Sequence, residues 1–281
     1  MSNLVTKEWL FEQLGSDDLV IADVRFAPGD SSHGLNAYTE NHIPGAVFIN
    51  FKEDLVDPPR EHGGRSPLPD PERLADKFGK LGIDQTTRIV VYDDSVRPEA
   101  TRLWWILNYL GHEQVYILDG GYTAWEDAGL PITSEVTTTP SRTFEVNLRN
   151  DWLADVDEVR ASIGRDDVTL VDSRDLKQYL GVEAPFDPVA GRIPGATLAF
   201  WKDGASDDGT WKSSDEHRER FRNLDPANKV IVYCGSGLSA CPNVLSLREA
   251  GFEQVKLYAG SWSDWISYSE NPIVTGDEEK E

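Results

Sequence analysis

The sequence predicts two α/β domains in tandem, each a mainly parallel, doubly wound sheet flanked by helices. Three observations carry that prediction: an internal repeat, short β-branched runs alternating with longer mixed segments, and 281 residues, enough for two cores. Five motifs recur in the same order. Leu19-Val-Ile-Ala-Asp23-Val-Arg25 matches Leu170-Val-Asp172-Ser-Arg174, His42-Ile-Pro-Gly-Ala46 matches Arg192-Ile-Pro-Gly-Ala196, and Arg88-Ile-Val-Val-Tyr92 matches Lys229-Val-Ile-Val-Tyr233. Gly111-His-Glu-Gln-Val115 then matches Gly251-Phe-Glu-Gln-Val255, and Gly120-Gly-Tyr-Thr-Ala-Trp125 matches Gly260-Ser-Trp-Ser-Asp-Trp265. The offsets are 172 − 23 = 149, 194 − 44 = 150, 233 − 92 = 141 and 251 − 111 = 140. The drop between the second and third motifs places extra residues in the first half, around Pro58 to Pro69, a stretch rich in proline, glycine and charge that reads as a long loop.

In the first half the strand runs are Leu19 to Val24, Val47 to Phe51, Ile89 to Tyr92 and Val115 to Leu118. In the second they are Thr169 to Asp172, Val230 to Tyr233 and Val255 to Tyr258. Pro71 to Leu81 and Trp104 to Leu110 suit covering helices, while Thr133 to Arg149, rich in Ser, Thr and Pro, reads as a linker. The expected division is therefore 1–132, a linker over 133–149, and 150–281.

Acidic side chains number 49 against 27 basic ones, a formal charge of −22, which excludes nucleic acid and anionic membrane as expected partners. The excess is spread along the chain, with only a short Asp277-Glu-Glu-Lys280 cluster near the end, and points to adaptation to high salt, where screening suppresses self-repulsion. No stretch approaches the roughly 20 apolar residues of a membrane span, and the opening MSNLVTKEWLFEQLG lacks the order of a signal peptide, so a cytoplasmic location is expected. The two cysteines, Cys234 and Cys241, form no disulfide framework, and five scattered histidines give no metal-ligand spacing, so no metal is expected.

The chemistry concentrates where Val230-Ile-Val-Tyr-Cys234-Gly-Ser-Gly-Leu-Ser-Ala240 runs from a strand into the helical pattern Pro242 to Ala250. Cys234 thus sits at the carboxyl end of a strand, where open α/β sheets bind ligands. Gly235 and Gly237, with Ser236, Leu238 and Ser239 between and after them, let backbone N–H groups curl inward ahead of a helix N-terminus, an anion cradle centred on sulfur. Such a cradle matters because the thiolate is the nucleophile and a free cysteine, pKa about 8.5, is only about 3% ionised at pH 7. The same cradle would hold an anionic persulfide.

The Asp172-Ser-Arg174, Arg192-Ile-Pro-Gly-Ala196 and Cys234-Gly-Ser-Gly-Leu-Ser-Ala240 elements, repeated in tandem with a cysteine only in the second half, resemble the two-domain rhodaneses. That resemblance covers about Leu4 to Ile273. It implies two rhodanese-like domains, the second catalytic, moving sulfur from a small anionic donor, thiosulfate or 3-mercaptopyruvate, through a Cys234 persulfide to a thiophilic acceptor such as cyanide or a thiol, without cofactor. The cysteine loop is similar to that of the mercaptopyruvate enzymes. The arginine those enzymes place soon after the DSR element is Gln178 here, and a later one falls near Phe186 or Asp187. Thiosulfate is therefore the expected donor and 3-mercaptopyruvate the alternative, although the cations that usually follow the cysteine in thiosulfate enzymes are Gly235 and Ser236.

Arg174 and Arg192 are candidate substrate contacts; an ion pair of Asp172 with Arg174 is the simpler structural role. Ser236 is a candidate for polarising the donor, Ser239 for capping the helix, and Cys241 for packing. Asp93 occupies the cysteine position of the first half, and a carboxylate cannot carry sulfane sulfur, so that half is expected to be silent, with Arg65 or His62 on its long loop as contributors to the other site. A cysteine phosphatase would require an arginine where Ala240 stands, six residues after Cys234. A persulfide carrier would use the same cradle as the enzyme.

Overall fold

The computed structural model describes residues 2–277 and divides into two compact units. The first comprises Met1–Asp57, Leu68–Arg149 and Ala205–Trp211; the second comprises Pro58–Pro67, Asn150–Gly204 and Lys212–Glu281. The acidic cluster expected at 277–280 lies, apart from Asp277, outside the described residues.

In the first unit five parallel strands, β1 (Leu4–Val5), β2 (Leu19–Asp23), β3 (Ala46–Phe48), β4 (Arg88–Tyr92) and β5 (Val115–Leu118), lie in the order β1-β5-β4-β2-β3. Helices α1 (Lys7–Gln13), α2 (His33–Glu40), α3 (Phe51–Asp54), α4 (Pro71–Lys80), α5 (Pro98–Tyr109) and α6 (Gly121–Asp127) accompany them. The central strands are buried on both faces, which is why they read as continuous Val/Ile runs. The expected strand at 47–51 stops at Phe48 because Asn50 caps α3, its side chain accepting from the amides of Lys52 and Glu53. The helix expected from Trp104 begins at Pro98, whose fixed φ and missing N–H suit a first turn. Residues 133–149 run extended along this unit: the amides of Arg142, Asn147 and Arg149 reach carbonyls of Gly79, Leu110 and Tyr109, and Phe144 packs edge-on to Phe78.

The second unit repeats the plan: β6 (Leu153–Ala154), β7 (Val168–Asp172), β8 (Thr197–Leu198), β9 (Lys229–Tyr233) and β10 (Val255–Tyr258) in the order β6-β10-β9-β7-β8, all parallel. Its helices are α7 (Val156–Ser162), α8 (Leu176–Tyr179), α9 (Ser214–Arg220), α10 (Cys241–Glu249) and α11 (Ser261–Trp265). The two-residue edge strands β1, β6 and β8 escaped the sequence reading because two residues carry no period.

The duplication extends to individual hydrogen bonds. Arg25 pairs with Asp23 at 2.7 Å and donates to the Asn41 carbonyl; Arg174 pairs with Asp172 at 2.6 Å and donates to the Gly191 carbonyl. Both carboxylates are fully buried, which fixes each ion pair as a brace at the carboxyl end of its sheet. Tyr38 and Tyr179 donate to the carbonyls of Ala46 and Ala196. In the second unit, Pro58–Pro67 is held by the Gly63 amide on Asp264 (2.7 Å), the Arg65 amide on Ser263 Oγ (3.0 Å), and the His62 ring stacked 4.1 Å from Tyr268.

Candidate active site

Cys234 follows directly on β9, the central strand of its sheet, and seven loop residues later α10 begins. The side chain is 1% exposed. Its Sγ accepts the Gly237 amide at 3.1 Å and lies 4.0 Å from Ser261 Oγ, while the Cys234 amide donates to that same Oγ at 3.0 Å. The carbonyls of Cys234 and Gly235 are tied to the amides of Trp262 and Ser263, so the start of α11 holds the loop closed. Ser261 has φ +55°, a left-handed conformation that a residue with a Cβ adopts at a cost of about 1–3 kcal/mol. At the matching position of the first unit stands Gly121, φ +61°.

The two loop glycines are required for different reasons. Gly237 is left-handed, φ +81°, and a Cβ there would collide with the Ala259 carbonyl. Gly235 has no positive φ; a Cβ there would collide with Arg65 Nη2 and lie 3.5 Å from its Cζ. The Arg65 guanidinium therefore rests on the loop one residue beyond the cysteine. Its Nη1 pairs with Asp187, a carboxylate whose side chain is 6% exposed. Burial raises the Asp187 carboxyl above its usual pKa, a shift that Arg65 and Arg174 offset only in part. Burial would likewise lower the pKa of Arg174, but Asp172 more than offsets this and holds the guanidinium above the ordinary arginine value, with Cys234 adding in the same direction. Arg174 and Arg65 thus lie near the cysteine loop, each already facing a carboxylate.

In the first unit Asp93 fills its own cradle. Its carboxylate accepts the amides of Ser95 (3.1 Å) and Ala100 (2.9 Å), and burial, with Glu99 nearby, raises its pKa well above the ordinary range.

The rhodanese-like domain family matches residues 6–128 and 155–268. The chain belongs to the rhodanese family. It is 40% identical over 281 residues to a Pseudomonas aeruginosa protein named "Probable 3-mercaptopyruvate sulfurtransferase", covering 98% of this chain and 99% of that one. It is 32% identical over 277 residues to a thiosulfate sulfurtransferase of Cricetulus griseus, covering 94% and 91%. The crystal structure of SseA from Escherichia coli, a 3-mercaptopyruvate sulfotransferase, superposes with a TM-score of 0.83 at 29% identity over 94% of this chain and 100% of that one.

Within this rhodanese the structure brings Cys234, Gly235, Ser236, Gly237, Leu238 and Ser239 into one loop with Arg174 nearby. Ser236 and Ser239 make no side-chain hydrogen bond among the described residues. Ser239 is not the helix cap: α10 starts one residue later than a serine cap would need, with Ala240 at the cap position. The Arg192 guanidinium donates to the carbonyls of Tyr179 and Gly276 and stacks 4.3 Å from the Tyr179 ring, all outside the cysteine loop. Cys241 is buried, its Sγ donating to the Gly237 carbonyl at 3.3 Å. Arg65 was expected as a contributor from the long loop, whereas Ser261 and the pairing of Arg65 with Asp187 were missed by sequence reasoning. The Gly121-to-Ser261 exchange within the repeated motif that Gly120/Gly260 and Trp125/Trp265 frame was the available signal for the first; nothing local in sequence joins residues 65 and 187.

Proposed function

We propose that Cys234 is the nucleophile of a two-step sulfur transfer and that the first unit is catalytically silent. The observation that carries this reading is the Cys234 Sγ held under the Gly237 amide at 3.1 Å at the carboxyl end of the central strand. The Cys234 thiolate attacks the donor's sulfur, leaving Cys234–S–S⁻; a thiophilic acceptor then removes the outer sulfur and regenerates the thiolate. With 3-mercaptopyruvate the C–S bond breaks, carbon keeps the electron pair and takes the thiol proton, and pyruvate leaves. With thiosulfate the S–S bond breaks and sulfite leaves with the pair.

Charge favours 3-mercaptopyruvate. Each guanidinium near the cysteine loop faces a carboxylate, Arg174 with Asp172 and Arg65 with Asp187, which reduces the net positive charge on offer, a loss that matters more for a dianion such as thiosulfate than for a monoanion. The Pseudomonas relative's name and the similarity of the cysteine loop point the same way. Thiosulfate, the donor first expected, is the second reading, supported by the absence of the mercaptopyruvate arginines at Gln178 and near Phe186 or Asp187 and by the name of the Cricetulus griseus relative. Parallel steady-state assays with both donors decide between them. Replacing Cys234→Ser should abolish transfer from either, and a variant that still transferred sulfur at the normal rate would overturn the reading.

The −22 charge supports adaptation to high salt. The melting temperature should rise by about 10 °C or more between about 0.1 and 2 M KCl, over which the Debye length falls from about 10 Å to below 3 Å.

A further inference from the structure

We infer that Arg65 is the residue that recognises the donor's anionic tail, and that Asp187 is a built-in competitor occupying Arg65 until the donor arrives. The inference rests on the assignment of Cys234 as nucleophile and adds to it a binding residue from the long loop at 58–67.

The Arg65 side chain is set against the Gly235 face of the cysteine loop, close enough that any other residue at 235 would displace it. Its position is fixed from both ends. The Arg65 amide donates to Ser263 Oγ at 3.0 Å, and Ser263 in turn donates its amide to the Gly235 carbonyl at 3.0 Å. Loop and arginine are therefore referenced to the same residue of α11, which makes the guanidinium part of the architecture around Cys234. Among the described residues, Asp187 Oδ1 is the only acceptor the guanidinium meets, through Nη1, which leaves Nη2 over Gly235 without a hydrogen-bond partner. A guanidinium offers a planar fork matched to carboxylate and sulfonate oxygens, and here half of that fork is unengaged.

Asp187 has the properties of an internal stand-in. Its carboxylate is buried, at an energetic cost, and its ionised form is supported by Arg65 and Arg174 together. It lies on an irregular segment whose neighbour Phe186 is 72% exposed, with the Phe186 ring 5.7 Å from the Arg65 guanidinium. A cavity of about 290 Å³ opens beside these groups, lined by Arg60, Glu61, Arg65, Phe186, Asp187 and Ser263 among others. A small anion entering there meets Arg65 in competition with a tethered carboxylate. That arrangement keeps the cation ordered in the absence of donor and sets donor affinity by the difference between the two anions.

The test compares donors that share one chemistry and differ in charge. 3-Mercaptopyruvate carries a carboxylate; mercaptoacetone, its neutral counterpart, delivers sulfur with the same balance, the thiolate becoming a persulfide and acetone leaving in place of pyruvate. Arg65→Met should raise KM for 3-mercaptopyruvate, and for thiosulfate if it is a substrate, by about 10- to 100-fold while changing kcat less than about threefold, and should leave kcat/KM for mercaptoacetone within about threefold. Arg65→Lys should recover part of the loss, and Asp187→Asn should lower KM for the anionic donors by about three- to tenfold. Equal losses with charged and neutral donors, or a rise in KM in Asp187→Asn matching that in Arg65→Met, would overturn the inference. Calorimetric binding of 3-mercaptopyruvate to the Cys234→Ser protein, with and without Arg65→Met, gives the same answer without turnover: unchanged affinity overturns the role of Arg65. Retained transfer by Cys234→Ser itself would instead remove the nucleophile assignment, so the two failures are separable.

Discussion

Ser261 accepts the Cys234 amide at 3.0 Å from a left-handed backbone conformation, φ +55°, where its counterpart in the first unit is Gly121, φ +61°. Strain is thus retained in the unit with the thiol and absent from the unit without it. The hydroxyl donates to the Tyr258 carbonyl at 2.8 Å, which aims its oxygen lone pairs at the Cys234 amide and leaves it 4.0 Å from Sγ. In this position it fixes the first residue of the loop that cradles the sulfur.

Substitution should separate the strain from the contact. Ser261→Gly relieves the left-handed backbone and removes the oxygen, so stability should change by less than about 1 kcal/mol while sulfur transfer falls about tenfold. Ser261→Ala keeps the strain and leaves the buried Cys234 amide unpaired, which should cost about 1–3 kcal/mol in addition to the same kinetic loss. Denaturant melts and single-turnover persulfide formation on both variants check this; full activity in either would refute it.

Gly237→Ala forces a Cβ into the Ala259 carbonyl at a left-handed position. The loop must shift, at a cost of about 2–4 kcal/mol, and the Gly237 amide moves off Sγ. Transfer activity and stability should fall together, and the reaction rate of Cys234 with a thiol reagent should change; an unaltered melting curve would contradict the geometry.

Asp93→Asn should stabilise the protein at neutral pH. Burial raises the folded-state pKa of Asp93 above its unfolded value. Stability from the protonated form is therefore fully present below the unfolded pKa and lost as pH rises through the folded one. Asparagine does not ionise, so the variant's advantage over wild type, about 1 kcal/mol, should grow from pH 5 to pH 8 in urea titrations, with sulfur transfer unchanged.

His217 predicts acid sensitivity. Burial, and then Arg220, lower its pKa from 6.5 to about 4, and neither ring nitrogen has a hydrogen-bond partner among the described residues. The unfolded chain takes up the proton first as pH falls, so stability present above about pH 6.5 is lost progressively towards pH 4, by up to about 3 kcal/mol. Replacing His217→Phe should flatten this part of the curve, read as the urea midpoint against pH.

The sequence by itself determined the tandem α/β plan, because buried parallel strands write themselves as Val/Ile runs and a duplication repeats them in register, as at Arg88–Tyr92 and Lys229–Tyr233. It also determined the position of Cys234, because a strand followed by Gly-Ser-Gly and a helix pattern is a local signal. The tertiary structure decided what surrounds the sulfur. Arg65, the pair Arg174 and Asp187 of the β7–β8 connection, and Ser261 come from three distant stretches, and only the folded loop at Pro58–Pro67 and the turn into α11 bring them together. The structure also decided that the Arg192 guanidinium goes to the Tyr179 and Gly276 carbonyls, a choice set by which buried polar groups need partners and one that no spacing along the chain encodes.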